Sequence, residues 1–175
     1  MEPAVRLESR RAHRRAVRQL ASGVAVLTVS NGPEVHGSTV SAVGAVSQEP
    51  LLIGAYLRQN SSFLRRVRDR RWFCVNVLTT EQIPLARWFA NPERPQGTAQ
   101  FDGIGWRPDP SGGAPLLDGC LSYLTCRLTG CLPVGDHFLL LADVAAGQAG
   151  EGSPLLSFAG ALYEGELIPK GREMR

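Results

Sequence analysis

The sequence predicts a mainly antiparallel β-barrel, closed on itself, with two or three helices over its ends. Three observations carry that expectation. About seven short runs are rich in β-branched and aromatic residues and bounded by Gly, Pro, Asn or Asp. Only three segments show the capping and periodicity of a helix. The 175 residues suit one hydrophobic core and leave little chain for a second.

From Ser9 to about Leu20, Ala12, Ala16, Val17 and Leu20 share one side of a helix and the arginines lie largely on the other, as in an amphipathic covering helix. Gly23 ends it. Val24 to Val29 is a nearly continuous apolar run, the pattern of a strand buried on both faces. Asn31-Gly32-Pro33 is a turn, and strands follow over Val35 to Val46 and Leu51 to Leu57, broken at Pro50, which cannot donate to a ladder. Asn60-Ser61-Ser62 precedes an apolar-periodic run and marks a helix start. Trp72 to Leu78 reads as a strand, and Thr80 as the cap of a short helix running to Phe89, with Pro84 near its first turn. Between Asn91 and Pro115 periodicity is lost, which predicts a long irregular connection. Cys120 to Leu132 and Phe138 to Ala146 form strands around a turn, and a last strand lies near Ala161 to Tyr163. The folded domain is placed over residues 9–165, between terminal tails 1–8 and 166–175.

Composition narrows the function. The net charge of +3 hides an asymmetry: the first twenty residues carry six Arg against two Glu, and the remainder is close to neutral. A nucleic-acid partner is not expected, because the basic excess sits in one terminal segment and not over a folded face. No apolar run reaches the roughly 18 residues of a membrane span, and no secretory signal is read, so no membrane association and a cytoplasmic setting are expected. Cys74, Cys120, Cys126 and Cys131 match neither a zinc knuckle nor a redox pair and are expected as free core thiols, with no metal site.

Three segments could carry chemistry. His36-Gly37-Ser38-Thr39-Val40-Ser41-Ala42 is a strand whose small hydroxyl residues leave its backbone approachable by a flat ligand; the same residues also suit the solvent face of an edge strand. Arg58-Gln59-Asn60-Ser61-Ser62 combines a helix start with a cation, which suits a phosphate as well as an ordinary cap. Gly135-Asp136-His137 puts a histidine after a turn, where its ring can reach a cleft or simply meet solvent. His13 and His36 have no such context, no triad or metal spacing occurs, and neither a Rossmann fingerprint nor a P-loop is present.

In order along the chain, these pieces resemble the flavin reductase family of the FMN-binding split barrel, the reductase component of two-component flavin-dependent monooxygenases. Ala21-Ser22-Gly23-Val24-Ala25-Val26-Leu27-Thr28 is similar to that family's opening strand. Gly37 to Ala42, with Val46-Ser47-Gln48-Glu49-Pro50-Leu51-Leu52, is similar to its flavin-edge strand and next hairpin. Asn60-Ser61-Ser62, Phe73-Cys74-Val75-Asn76-Val77-Leu78, Ala86-Arg87-Trp88-Phe89-Ala90, Gly135-Asp136-His137 and Pro154-Leu155-Leu156 follow in the family's order.

The resemblance implies an antiparallel split β-barrel with a few covering α-helices. It further implies an NAD(P)H:flavin oxidoreductase that passes a hydride from NADH or NADPH to FMN or FAD, works as a homodimer and supplies a separate monooxygenase. Ser38, Thr39, Val40, Ser41 and Ala42 would face the isoalloxazine, with Ser47 on the next hairpin also binding cofactor. Ser61 and Ser62 would hold the phosphate beside Arg58 and Asn60, and Asn76 would touch the ring or ribityl chain. His137 would lie by the nicotinamide, and Phe89, Phe158 and Tyr163 would wall the cleft. Ser38 stands where the family has a larger apolar residue, and Asn60 where it has a basic or small one, so the choice between FMN and FAD stays open. A flavin-binding electron carrier or oxidase of the same fold that never meets a nicotinamide is the alternative reading.

Overall fold

The computed structural model describes residues 2–164. The expected domain limit at 165 and the tail 166–175 lie outside the described residues. In chain order the elements are α1 (Glu2–Val17), β1 (Ser22–Gly23), β2 (Ala25–Asn31), β3 (Glu34–Val40), β4 (Val43–Gln48), β5 (Leu51–Arg58), α2 (Ser62–Arg70) and β6 (Trp72–Val77). A 3-10 turn at Thr80–Gln82 leads into α3 (Ile83–Ala90), and another spans Gly97–Phe101. Then come β7 (Trp106–Pro108), β8 (Pro115–Leu117), β9 (Ser122–Val134), β10 (His137–Ala149), β11 (Leu156–Phe158) and β12 (Ala161–Tyr163).

Seven strands form one antiparallel sheet in the order β3-β2-β6-β9-β10-β5-β4. Its two edge strands, β3 and β4, are consecutive in the chain and joined through Ser41-Ala42, yet no ladder runs between them. The barrel is therefore split, not closed. The expected single strand from Val35 to Val46 is two strands, because a chain that crosses between opposite edges of one sheet must leave the ladder.

Burial of β2 on both faces explains its unbroken apolar run. Leu27 and Val29 point into a core with Phe63, Phe73, Leu128 and Leu140, while Val26 and the preceding Val24 point into a second core with Leu78, Phe89, Phe101, Leu117 and Leu155. Each fully buried Leu or Phe contributes about 1.5–3 kcal/mol relative to exposure. Helix α2 closes the first core with Phe63, Leu64 and Val67, and the Phe63 ring meets Phe73 edge-on at 6.0 Å. Helix α3 closes the second with Ala86 and Phe89. Thr79, not Thr80, caps the turn before α3, in a reciprocal capping box with Gln82.

Two expectations are corrected here. The segment between Asn91 and Pro115 is not wholly irregular, since it holds a 3-10 turn and the β7-β8 hairpin. The Asp109 carboxylate organises that hairpin, accepting from Ser111 N and Gly112 N at 2.9 Å and from Thr125 Oγ1 at 2.6 Å. Helix α1 begins at Glu2 and ends at Val17, and its described side chains do not act as a cover: every one from Arg10 to Leu20 is exposed, including Val17 and Leu20.

Candidate functional site

Three strand ends meet at the split. The carboxyl end of edge strand β3 runs into Ser41-Ala42, β5 ends at Arg58, and β10 begins at His137, which the ladder pairs directly with Arg58. A two-residue turn, Gly135-Asp136, joins β9 to β10, and Gly135 takes φ 60°, a left-handed geometry that favours glycine. Gln59 fixes that turn from the neighbouring segment, its backbone N–H donating to Asp136 O at 3.2 Å and its Nε2 to Gly135 O at 2.8 Å.

Between these ends lies a cavity of about 770 Å³, within the range of ligand-sized pockets (roughly 300–1,000 Å³). Its walls include Ser38, Thr39, Val40, Ser41 and Ala42 from the β3 end, Arg58, Asn60, Ser61 and Ser62 from the approach to α2, and Phe89 and His137. The structure thus brings together segments that the sequence separates by a hundred residues. Four expected residues do not line it. Asn76 is fully buried between β2 and β8, donating through Nδ2 to Val26 O and Thr28 Oγ1 and accepting Leu117 N at 2.8 Å. It is a core crosslink. Ser47 sits half-buried on β4, and the rings of Phe158 and Tyr163 meet edge to face with centroids 5.8 Å apart.

Tyr56, Leu57, Ala90, Pro92, Arg94 and Gln96 also line the cavity and were missed from the sequence. Tyr56 and Leu57 sit beside Arg58 on a strand already recognised, so strand continuity was the available signal. Pro92, Arg94 and Gln96 lie in a segment without periodicity and offered none.

The cavity wall carries no carboxylate among the described residues. Arg58, Arg94 and the positive end of the α2 dipole give it a field that favours an anion. Ser61 occupies the N-cap of α2 but makes no side-chain cap bond, which leaves its hydroxyl available to a ligand. The Arg94 guanidinium is fixed by donating to Gly37 O and Asn91 O, each at 2.6 Å, and lies 5.9 Å from the Phe89 ring centre. Burial holds its pKa below the usual value.

Edge strand β3 supplies the backbone. Gly37 turns its N–H and C=O away from β2, toward Gln100 Oε1 and Arg94. By the alternation of an antiparallel ladder, Thr39 turns its own N–H and C=O the same way. The Thr39 side chain is already committed, its Oγ1 donating to Ala86 O at 2.8 Å.

Behind this wall lies a buried polar chain. His36, 1% exposed, places Nε2 2.9 Å from Ser62 Oγ and Nδ1 3.3 Å from Gln100 Nε2, and Gln100 is itself fully buried. At the mouth, His137 Nδ1 is 2.7 Å from Asp136 Oδ1, an arrangement that leaves Nε2 for a ligand. The hydrogen bond to His137, followed by that residue's charge, holds the Asp136 carboxyl below its ordinary pKa.

The arrangement can bind a flat, phosphorylated ligand along an exposed strand edge and admit a second molecule past His137. The chain is 46% identical over 151 residues to an NADPH-flavin oxidoreductase of Streptomyces viridifaciens, covering 86% of this chain and 78% of the relative. It is 33% identical over 156 residues to the reductase component of a 4-nitrophenol 4-monooxygenase/4-nitrocatechol 2-monooxygenase of Rhodococcus opacus, covering 89% and 80%. The solved structure of an NADH:FAD oxidoreductase of Streptomyces globisporus superposes with a TM-score of 0.83 at 29% identity, covering 90% of this chain and 94% of that one. The model of the flavin reductase like domain matches residues 17–166, and the chain belongs to that family.

Proposed function

We propose that the chain is an NAD(P)H:flavin oxidoreductase that reduces FMN or FAD and supplies the reduced flavin to a separate flavin-dependent monooxygenase. One observation carries the reading: a cavity with no carboxylate among the described residues has an unpaired strand edge on one wall, an α2 N-terminus whose Ser61 hydroxyl makes no cap bond on another, and His137 at its mouth. Those donors fit a flavin mononucleotide unit, whose ring edge takes backbone hydrogen bonds and whose phosphate takes hydroxyls and cations.

When both are bound, nicotinamide and flavin supply the hydride transfer between them. The protein's residues position and stabilise. The β3 edge at Thr39 reads the ring edge, and its backbone donors stabilise negative charge that develops there. Ser61, Ser62 and Arg58 hold the phosphate. His137, oriented by Asp136 through Nδ1, holds the nicotinamide nucleotide against the open face, which contributes proximity more than proton transfer.

The partner reading rests on relatives such as the Rhodococcus opacus reductase component. A homodimer is proposed for the same protein, supported by exposed Val17 and Leu20 at the end of α1 and just past it, and by exposed Val46, Leu51, Tyr56, Leu132 and Val134 on β4, β5 and β9. A cytoplasmic setting is proposed as well, supported by four unpaired thiols; among the described residues no helix is long and apolar enough to cross a membrane.

The test is nicotinamide oxidation by purified protein with FMN, FAD or no flavin, using each nicotinamide in turn. Oxidation that depends on added flavin supports the reductase and gives both preferences. Flavin binding without oxidation favours the electron-carrier or oxidase reading instead.

A further inference from the structure

The buried chain behind the α2 N-terminus has a fixed polarity. Gln100 Oε1 accepts from Gly37 N at 3.0 Å and from Arg94 Nε at 3.4 Å, so the other end of its amide is the NH₂. That NH₂ donates to Gly97 O at 2.7 Å and Val35 O at 3.1 Å and faces His36 Nδ1 at 3.3 Å. Two donors cannot satisfy each other, so Nδ1 carries the lone pair and the imidazole proton resides on Nε2. The Nε2 proton then meets Ser62 Oγ at 2.9 Å, and the hydroxyl must accept it.

A serine hydroxyl has one proton to give. With its inward side occupied as acceptor, and with no other side-chain bond to it among the described residues, the Ser62 proton is free to turn into the cavity that Ser62 lines. The opposite tautomer would direct the proton inward and leave lone pairs facing any anion there. Burial, reinforced by the Arg66 and Arg94 charges, pushes the His36 pKa down to about 4, so the ring stays neutral near neutral pH.

We propose that His36 is a positioning residue of the flavin site: anchored by Gln100, it donates from Nε2 to Ser62 Oγ and so aims the Ser62 hydroxyl proton at a flavin phosphate oxygen. The inference rests on the proposed function, in which Ser62 holds that phosphate. It assigns a binding role to a histidine and a glutamine that are both sealed from the ligand.

The experiment compares dissociation constants for FMN and for riboflavin, which lacks the phosphate, in the full chain and in His36→Leu, His36→Gln, Ser62→Ala and the His36→Leu/Ser62→Ala double variant. The wild type should prefer FMN. His36→Leu should weaken FMN about tenfold, the scale of one hydrogen bond to a charged group, and leave riboflavin unchanged. The double variant should lose no more than Ser62→Ala alone, and His36→Gln, whose amide can donate from the Nε2 position, should recover affinity. Equal affinity of the wild type for both flavins overturns the phosphate placement and this inference with it. Loss in Ser62→Ala with none in His36→Leu overturns the inference alone. Should His36→Leu not fold, nitrogen NMR of the wild-type imidazole decides: an Nε2–H tautomer is expected, and Nδ1–H overturns the proposal.

Discussion

The Phe89 ring packs against the α-carbon of Gly37, so closely that a β-carbon built on Gly37 would lie 2.6 Å from the ring edge. Helix α3 and edge strand β3 therefore approach at a distance that only glycine allows, and the cavity wall is set by that approach. Gly37→Ala should destabilise the fold by about 1–3 kcal/mol, the usual cost of overpacking, because the Phe89 ring it would meet is packed in the core at 1% exposure. Denaturant unfolding measures it, and adding Phe89→Leu should recover part of the loss.

His137→Ala should raise the nicotinamide KM or lower turnover while the flavin dissociation constant survives. Asp136→Asn should act in the same direction more weakly, since the ring would lose a charged partner but keep a hydrogen-bond acceptor. Steady-state kinetics with the nicotinamide varied reads both, and unchanged kinetics in His137→Ala would remove that residue from the site.

Stability should fall in acid because of His36. Its folded pKa, about 4, lies below its ordinary value of 6.5, so between those values the unfolded chain takes up a proton that the folded chain refuses. The stabilisation is complete above about pH 6.5 and is lost as pH falls toward 4, by on the order of 3 kcal/mol at most. Urea melts across that window should show a slope in wild type that is reduced in His36→Gln.

Cysteine labelling of the native protein should modify one thiol of four. Burial pushes the Cys120 thiol up to about 11 and Cys126 to about 12, and raises Cys74 further, so these three stay protonated and inaccessible. Cys131 is only half-buried, with its Sγ 3.2 Å from Arg68 Nη2, and should react first. Two or more fast thiols would contradict the packing of the β6-β9 core.

Asn76→Ala should cost stability, roughly 3 kcal/mol, by orphaning Leu117 N and removing the amide that ties Val26 on β2 to Leu117 on β8, leaving Thr28 Oγ1 to Pro115 O as a side-chain bond between those strands. A chemical melt at fixed flavin checks the magnitude.

Sequence patterning by itself determined most of the longer strands and their punctuation, but not the break between β3 and β4 or the β7-β8 hairpin. Apolar continuity marked β2 as buried on both faces, the small polar run before Phe63 located the start of α2, and the turn around Gly135-Asp136 marked the β9-β10 hairpin, whose ladder in the structure runs closer to the turn, to Val134 and His137. Short motifs and the family resemblance singled out the residues from Ser38 to Ala42, Arg58, Asn60 to Ser62, Phe89 and His137 as candidates, and the fold gathers these around one cavity. Those signals are local, arising from the period of the chain and the chemistry of adjacent residues.

Only the tertiary structure decided what depends on distant neighbours. Asn76 reads in sequence as a polar residue within a strand, but pairing with β2 turns it into the core, where Val26 O and Leu117 N claim its amide. Arg94 and Gln100 lie in an aperiodic segment, and their roles exist only because that segment folds over β3 and meets Gly37. His36 looked contextless for the same reason. Its partners, Ser62 and Gln100, are 26 and 64 residues away, and hydrogen-bond polarity across such separations is fixed by packing, to which no local pattern in the chain refers.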